Sequence, residues 1–189
     1  LDLLILIEPN PVWVEALRHR FRKEKCVRVI SDALDYRKDE LLLSYSENAD
    51  SHASFANTVQ PEDKGQNLIS QTVRTNTIDS LIEKLNLPSI DLLKLDLEGF
   101  DHYALLGARK ALKENKIKVI QFEVTRAWET TACSPCATFR LLTRAGFRLY
   151  HLRPTGLELL DCPVQIPHFS LYSNFCAINE SIYAAQSFR

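Results

Sequence analysis

Lys94, Asp96 and Glu98 occupy every second position of Ile90-Asp91-Leu92-Leu93-Lys94-Leu95-Asp96-Leu97-Glu98-Gly99. The intervening residues are mostly apolar, which is the pattern of a strand. In an extended strand, side chains two apart share a face. Three ionisable groups then point the same way from a segment that otherwise reads as buried. Burying charge is costly unless it is paired, ligated or used. Gly99 follows, and a helical pattern begins at Phe100. A strand ending in acids, then a glycine, then a helix is where open α/β sheets bind ligands. The competing reading is a structural ion pair, Lys94 with Asp96 or Glu98.

Other acids stand at the ends of other expected strands. Glu8 closes an apolar run over residues 3–7, Asp32 follows an extended segment over 26–31, and Glu123 lies near the end of one over 118–124. In a parallel sheet these ends gather on one edge. An acid just past the second strand of a nucleotide-binding fold accepts hydrogen bonds from ribose hydroxyls, and Glu8 sits where such an acid belongs. Asp32 could accept from an adenine amino group. Each acid also has a plainer reading, because strand-end acids and amides often cap helices.

The elements that must position these groups follow from the patterning. Asn10 can cap a helix with Pro11 in its first position. Trp13, Ala16, Leu17 and Phe21 fall on one face of that helix. Further strands are expected at 40–45, 68–76, 90–97, 147–152, 157–160 and 174–178. Helices are expected through Ile78, Leu81, Ile82 and Leu85, over 100–115 in about four turns, and from Ser134–Pro135 to a stop at Gly146. Thr155-Gly156 reads as a turn. Residues 47–67 are polar, a loop long enough to be functional or disordered. Strand and helix patterns alternate, which predicts an α/β fold with a mostly parallel sheet and an antiparallel C-terminal edge. One domain is expected over 1–178, with a tail over 179–189.

Composition narrows the function classes. The 189 residues are 46% hydrophobic and 25% charged, ordinary for a globular domain. A net charge of -1 argues against a dedicated nucleic-acid surface. No apolar run approaches the roughly 20 residues of a membrane-spanning helix. Five cysteines, odd in number and spread out, make a poor disulfide framework. Cys133-Ser-Pro-Cys136 lacks the second pair a zinc site needs. These features point to a reducing compartment, with the cytoplasm expected. There is no methionine, so the native start is expected to lie upstream.

Ile7-Glu8-Pro9-Asn10-Pro11, Thr77-Ile78-Asp79-Ser80-Leu81, the 90–99 motif, Leu105-Leu106-Gly107-Ala108 and Val119-Ile120-Gln121-Phe122-Glu123 together resemble the FkbM-type methyltransferases in order and spacing. The resemblance spans roughly residues 3–178. It implies the Rossmann-like class I methyltransferase fold, S-adenosyl-L-methionine as cofactor, and methylation of hydroxyl oxygens of small molecules or sugars. It implies that Glu8 and Asn10 hold the ribose side of the cofactor, and that Asp32 with the backbone at Ala33 faces the adenine. Asp96, with Lys94 and Glu98 on its face, would stand near the reacting methyl. Asp96 is then the first choice for general base and Glu98 the second, since neighbouring, partly buried carboxylates tend towards a raised pKa. Ser54 resembles the family's loop serine, and Arg126, Trp128 and Glu129 lie in a loop where they could meet the acceptor or equally form a packed cap. The family's first strand and glycine-rich turn have no counterpart before Glu8. The chain is therefore expected to lack the N-terminal part of the domain and to be unstable unless a partner segment fills the gap.

Two other readings remain open. Asp91, Asp96 and Glu98 could hold a divalent cation for metal-assisted chemistry, or the chain could be a non-catalytic binding module of the same fold. A nicotinamide-dependent reductase is disfavoured, because neither Tyr36 nor Tyr103 has a lysine four residues on.

Overall fold

The computed structural model describes residues 1–46, 53–55, 68–129, 131, 133–160 and 172–181. The chain divides into two compact units, residues 1–77 and 78–189.

In the first unit, β1 (Leu4–Ile7) pairs in parallel with β2 (Val27–Ile30), Leu4 opposite Val27. Between them runs α1 (Pro11–Arg20). Its start is built locally. The Asn10 side chain accepts the Val12 N–H at 3.0 Å and Pro11 fills the first turn. Arg18, His19 and Arg20 in the last turn suit the negative end of the helix dipole. The helix buries Val14 and leaves Trp13 exposed, so the face expected from Trp13 and Ala16 is not the one that packs. A second sheet follows, of β3 (Ala33–Leu34), β4 (Glu40–Ser46), β5 (Ala53–Phe55) and β6 (Leu68–Asn76), in the order β3-β6-β4-β5. Its buried cluster is Ala33, Leu43, Tyr45 and Val73. Apart from β5, the expected loop at 47–67 lies outside the described residues.

The second unit holds α2 (Ile78–Lys84), β7 (Ile90–Lys94), α3 (Asp101–Leu106), α4 (Arg109–Lys113), β8 (Ile117–Thr125), a 3-10 turn (Arg126–Glu129), α5 (Pro135–Arg144), β9 (Phe147–Arg153), β10 (Gly156–Leu159) and β11 (Tyr172–Asn179). Its strands form one sheet in the order β10-β9-β11-β8-β7, with β7 parallel to β8 and the other pairs antiparallel. Phe122, Phe139 and Phe175 are fully buried, with ring centroids 5.1–5.9 Å apart. They join α5 to β8 and β11 by the dense aromatic packing that dominates core energetics.

Three expectations change. The fold is mixed α/β, but its strands form three sheets, and five of the eight described strand pairs are antiparallel. The reason is that β11 enters between β8 and β9 instead of at an edge, and β4 meets both its neighbours antiparallel. The helix expected over 100–115 is two helices, broken at Gly107-Ala108. The Asp79 carboxylate accepts the N–H groups of Lys110 and Ala111 at 2.9 and 2.8 Å, so a side chain from α2 starts α4. Finally, β7 ends at Lys94, three residues short of the expected limit. No helix among the described residues is long and apolar enough to cross a membrane.

The end of β7 leads into a left-handed turn, with φ 50° at Glu98 and 91° at Gly99. A Cβ on Gly99 would lie 2.9 Å from the Ala127 carbonyl carbon and 3.0 Å from Thr131 Cγ2. Gly146, with φ 86°, has open space where a Cβ would stand. Gly146→Ala is therefore expected to cost about 1–2 kcal/mol, from conformation alone. Gly99→Ala is expected to cost about 2–4 kcal/mol, because crowding adds to conformation. Urea denaturation of both variants measures the difference, and equal costs would contradict the close approach at Gly99.

Candidate functional site

The first unit brings Glu8, Asn10, Asp32 and Ala33 to the ends of its strands. Glu8 follows β1, and its Oε1 accepts the Asn10 N–H at 2.8 Å. Partial burial pushes the Glu8 carboxyl up, and the Asn10 amide pulls it back down. Asn10 is 2% exposed, and its cap on α1 realises the plainer reading of that residue.

Asp32 follows β2 and is 7% exposed. Its Oδ2 accepts the Asn76 amide at 3.1 Å. The Arg74 guanidinium stands 3.4 Å from Oδ1, close enough for charge attraction, yet Oδ1 has no hydrogen-bond partner. A buried carboxylate oxygen without a donor is uncommon and costly. Ala33 lies in the core beside it, with its backbone in register with Thr75.

A cavity of about 490 Å³ opens in this unit, within the range of small-molecule sites. Its walls include Pro9 and Pro11, which flank Asn10, and Ser31, which precedes Asp32. The rest of the lining is mixed, with Val14 and Val73 apolar, Gln71 and Thr72 polar, Arg18 and Arg74 cationic and Glu15 anionic.

The second unit gathers Lys94, Asp96 and Glu98 at the end of β7. Lys94 Nζ lies 2.7 Å from Asp96 Oδ2, and both side chains are about half exposed, at 54% and 53%. The ion-pair reading of this motif is therefore realised. The shared-face argument stops at Lys94, because Asp96 lies beyond the strand and Glu98 is in the left-handed turn. Thr131 Oγ1 donates towards the Gly99 and Trp128 carbonyls, at 3.0 and 3.2 Å. Trp128 is buried at 3% exposure and donates to the Glu123 carbonyl at 2.9 Å, so it is a packed cap, while Arg126 and Glu129 are exposed. The Glu123 side chain accepts from Asn174 at 3.2 Å. Asp91 pairs with Lys118. Among the described residues, no group of three or more His, Cys, Asp or Glu could hold a metal ion. Ser54 lies in β5, its backbone opposite Ser44.

The carboxyl with the strongest environment here is one the sequence reading passed over. Asp101 is 1% exposed and begins α3. Burial is the largest influence on it, and the Asp96 charge acts in the same direction. Its own N–H and those of Leu97 and Gly99 act against them, and the result is a pKa pushed up to about 7. Its Oδ1 has no hydrogen-bond partner. Burial pushes the nearby Cys133 thiol up, Tyr103 and Thr131 act against that, and the Asp101 charge adds to the rise. The available signal was an acid in the first helical turn just after a turn-forming glycine. Next to it, His102 Nδ1 lies 2.9 Å from Thr138 Oγ1, and burial followed by the Arg109 charge lowers its pKa.

The profile described as Methyltransferase FkbM domain matches residues 2–149. A comparison with curated proteins gives no match. Among solved structures, the chain is similar to the methyltransferase FkbM from Methylobacillus flagellatus KT, with a TM-score of 0.53 and 15% identity. That match covers 94% of this chain and 36% of the other, so the chain spans about a third of that protein's length.

The raised pKa of Asp101 has a consequence for stability. The unfolded chain releases this proton near the ordinary aspartate value of 3.8, and the folded chain releases it near 7. Between those values the native state binds the extra proton. Its contribution is fully present below about pH 4 and is lost as pH rises to 7, at roughly 1.4 kcal/mol per pH unit. Asp101→Asn, which stays neutral, is expected to be more stable than the parent at pH 8, with the gap narrower at pH 5. Thermal melts at the two pH values check this, and a pH-independent gap would contradict it.

Proposed function

The chain belongs to the FkbM methyltransferase family, and from that premise we propose that it transfers the methyl group of S-adenosyl-L-methionine to a hydroxyl oxygen of a small molecule or sugar. The observation that carries the cofactor assignment is the buried, donor-less Oδ1 of Asp32. An exocyclic amino group is the kind of donor it lacks. Glu8 holds the ribose hydroxyls through the carboxylate oxygen that the Asn10 amide leaves over. Asn10 keeps that carboxylate and the start of α1 in fixed relation, and the backbone at Ala33 lines the adenine side. The cavity beside Ser31 offers Pro9, Pro11 and Val14 as apolar surface for a planar base.

When bound, the cofactor supplies an electrophilic sulfonium methyl group. The protein's share is to orient the acceptor hydroxyl and take its proton. Asp96 is the base in this reading. Half exposed at the end of β7, its carboxylate is open to a substrate, with the Lys94 ammonium 2.7 Å away as its counter-charge. Glu98 is the second carboxylate of the same turn. The domain runs over residues 1–178. Cys26, Cys133, Cys136 and Cys176 are free thiols, which supports a reducing compartment such as the cytoplasm.

Calorimetry with S-adenosylmethionine and S-adenosylhomocysteine tests the reading. The chain is expected to bind both. Glu8→Gln and Asp32→Asn are each expected to weaken binding about tenfold or more, the effect of one lost charge-assisted hydrogen bond. No binding by the parent chain, or unchanged affinity in both variants, would overturn the assignment.

A further inference from the structure

We propose that Arg74 is the mobile counter-charge of the Asp32 site: its guanidinium neutralises the buried carboxylate until a neutral hydrogen-bond donor takes up Oδ1, and then crosses to Glu40. That the donor is the adenine amino group rests on the methyl-transfer reading; the exchange of partners does not.

Three strands of the first unit place the groups. Ala33 of β3 is in register with Thr75 of β6, so Asp32, one residue earlier, stands beside Arg74. On the other side of β6, Glu40 of β4 lies directly opposite Arg74. Directly opposed residues of an antiparallel pair share a face, with Cβ atoms about 4.5–5.5 Å apart. Arg74 thus has a carboxylate on either side, and the two differ in kind, since Asp32 is buried and Glu40 is exposed. The neighbouring acid, Asp39, is taken by Arg37 at 3.2 Å. The backbone here is fixed. The Thr75 N–H donates to the Asp39 carbonyl at 2.7 Å, and the Thr75 hydroxyl donates to the Arg37 carbonyl at 2.9 Å while accepting the Asp39 N–H at 2.7 Å. An exchange of partners is therefore confined to the Arg74 side chain.

The contact with Asp32 supplies charge without fixing geometry. The guanidinium lies 3.4 Å from Oδ1 and makes no hydrogen bond to it, and the Arg74 side chain is 76% exposed. An ion pair with one arm in solvent contributes little and exchanges readily. A buried carboxylate needs either a counter-charge or donors. Arg74 supplies the first and not the second, so a donor that reaches Oδ1 removes the need for it. Arg74 also lines the cavity beside Ser31, so a ligand that enters there meets its side chain. Glu40, already across the ladder, gives the displaced charge a partner in solvent.

Side-chain NMR on the full chain tests this without any ligand. Asp32→Asn keeps the shape of the group and removes its charge, and is expected to send Arg74 to Glu40. The Arg74 Nε–H and Glu40 carboxyl carbon signals then move, and the Glu40 shift disappears when Arg74→Gln is added. Asp32→Ser replaces the asparagine variant if that one does not fold. An unmoved Glu40 signal, or a shift that persists without Arg74, would overturn the proposal. Calorimetry with S-adenosylhomocysteine is the second readout. Glu40→Gln is expected to weaken binding about threefold in the parent, the scale of an exposed ion pair, and to leave it unchanged in Arg74→Gln. Equal effects in the two backgrounds would also overturn the exchange. Failure of the parent to bind S-adenosylhomocysteine would sink the cofactor reading, and the Asp32→Asn signals would then decide the role of Arg74.

Discussion

A peptide unit with no room for a side chain governs the second half of this protein. Gly99 lies against the Ala127 backbone, so close that a single added carbon would collide with the Ala127 carbonyl and with Thr131. That contact brings the end of β7 against the segment that follows β8, and the Thr131 hydroxyl fastens it by bonding both the Gly99 and the Trp128 carbonyls. Trp128 is in turn fastened to the Glu123 carbonyl. The carboxylates of the motif, the cap of α3 and the packed loop beyond β8 thus share one set of backbone contacts. A change at Gly99 is felt at all of them because a close-packed interior passes displacement on instead of absorbing it.

Charge is distributed unevenly over this frame, and the unevenness separates structural acids from available ones. Asp79 and Asp91 are spent, one on the amides that start α4 and the other on Lys118. Asp96 is paired with Lys94, but the pair stands in solvent, where it contributes little to stability and can exchange partners. Asp32 and Asp101 are the opposite case. Both are buried, and each keeps an oxygen without a donor. Unsatisfied buried oxygens are rare in folded proteins because each forfeits the hydrogen bond it had in water. In Asp32 the Arg74 guanidinium, 3.4 Å from that oxygen, offsets part of the deficiency by charge, and in Asp101 burial raises the pKa to about 7.

Much of the architecture was legible in the sequence. The strand over 68–76 and the helix between Ser134 and Gly146 stand close to their expected limits, because alternation and amphipathic spacing are local signals. Asn10 with Pro11 marked the start of α1 for the same reason. The misses share a cause, which is that distant groups decide them. The break between α3 and α4 coincides with capping by Asp79, about thirty residues earlier. The placement of β11 inside its sheet depends on pairing with β8 and β9 at once. Asp96 and Glu98 read as strand residues because alternation continues through them, while the left-handed turn that removes them from the strand is held by a contact from Thr131, some thirty residues on. Trp13 read as core because it is large and apolar, yet Val14 is the residue of α1 that the first unit buries.

The family assignment and the two strand-end acids of the first unit converge on one claim, that this unit receives the adenosine part of the cofactor. The most direct measurement is an NMR titration of backbone amides with S-adenosylhomocysteine. The account predicts saturable shifts concentrated at residues 8–14 and 31–34, with the Asn76 side-chain amide among them because it shares Asp32. Saturable shifts that leave those residues untouched, or no shifts at all, would contradict it.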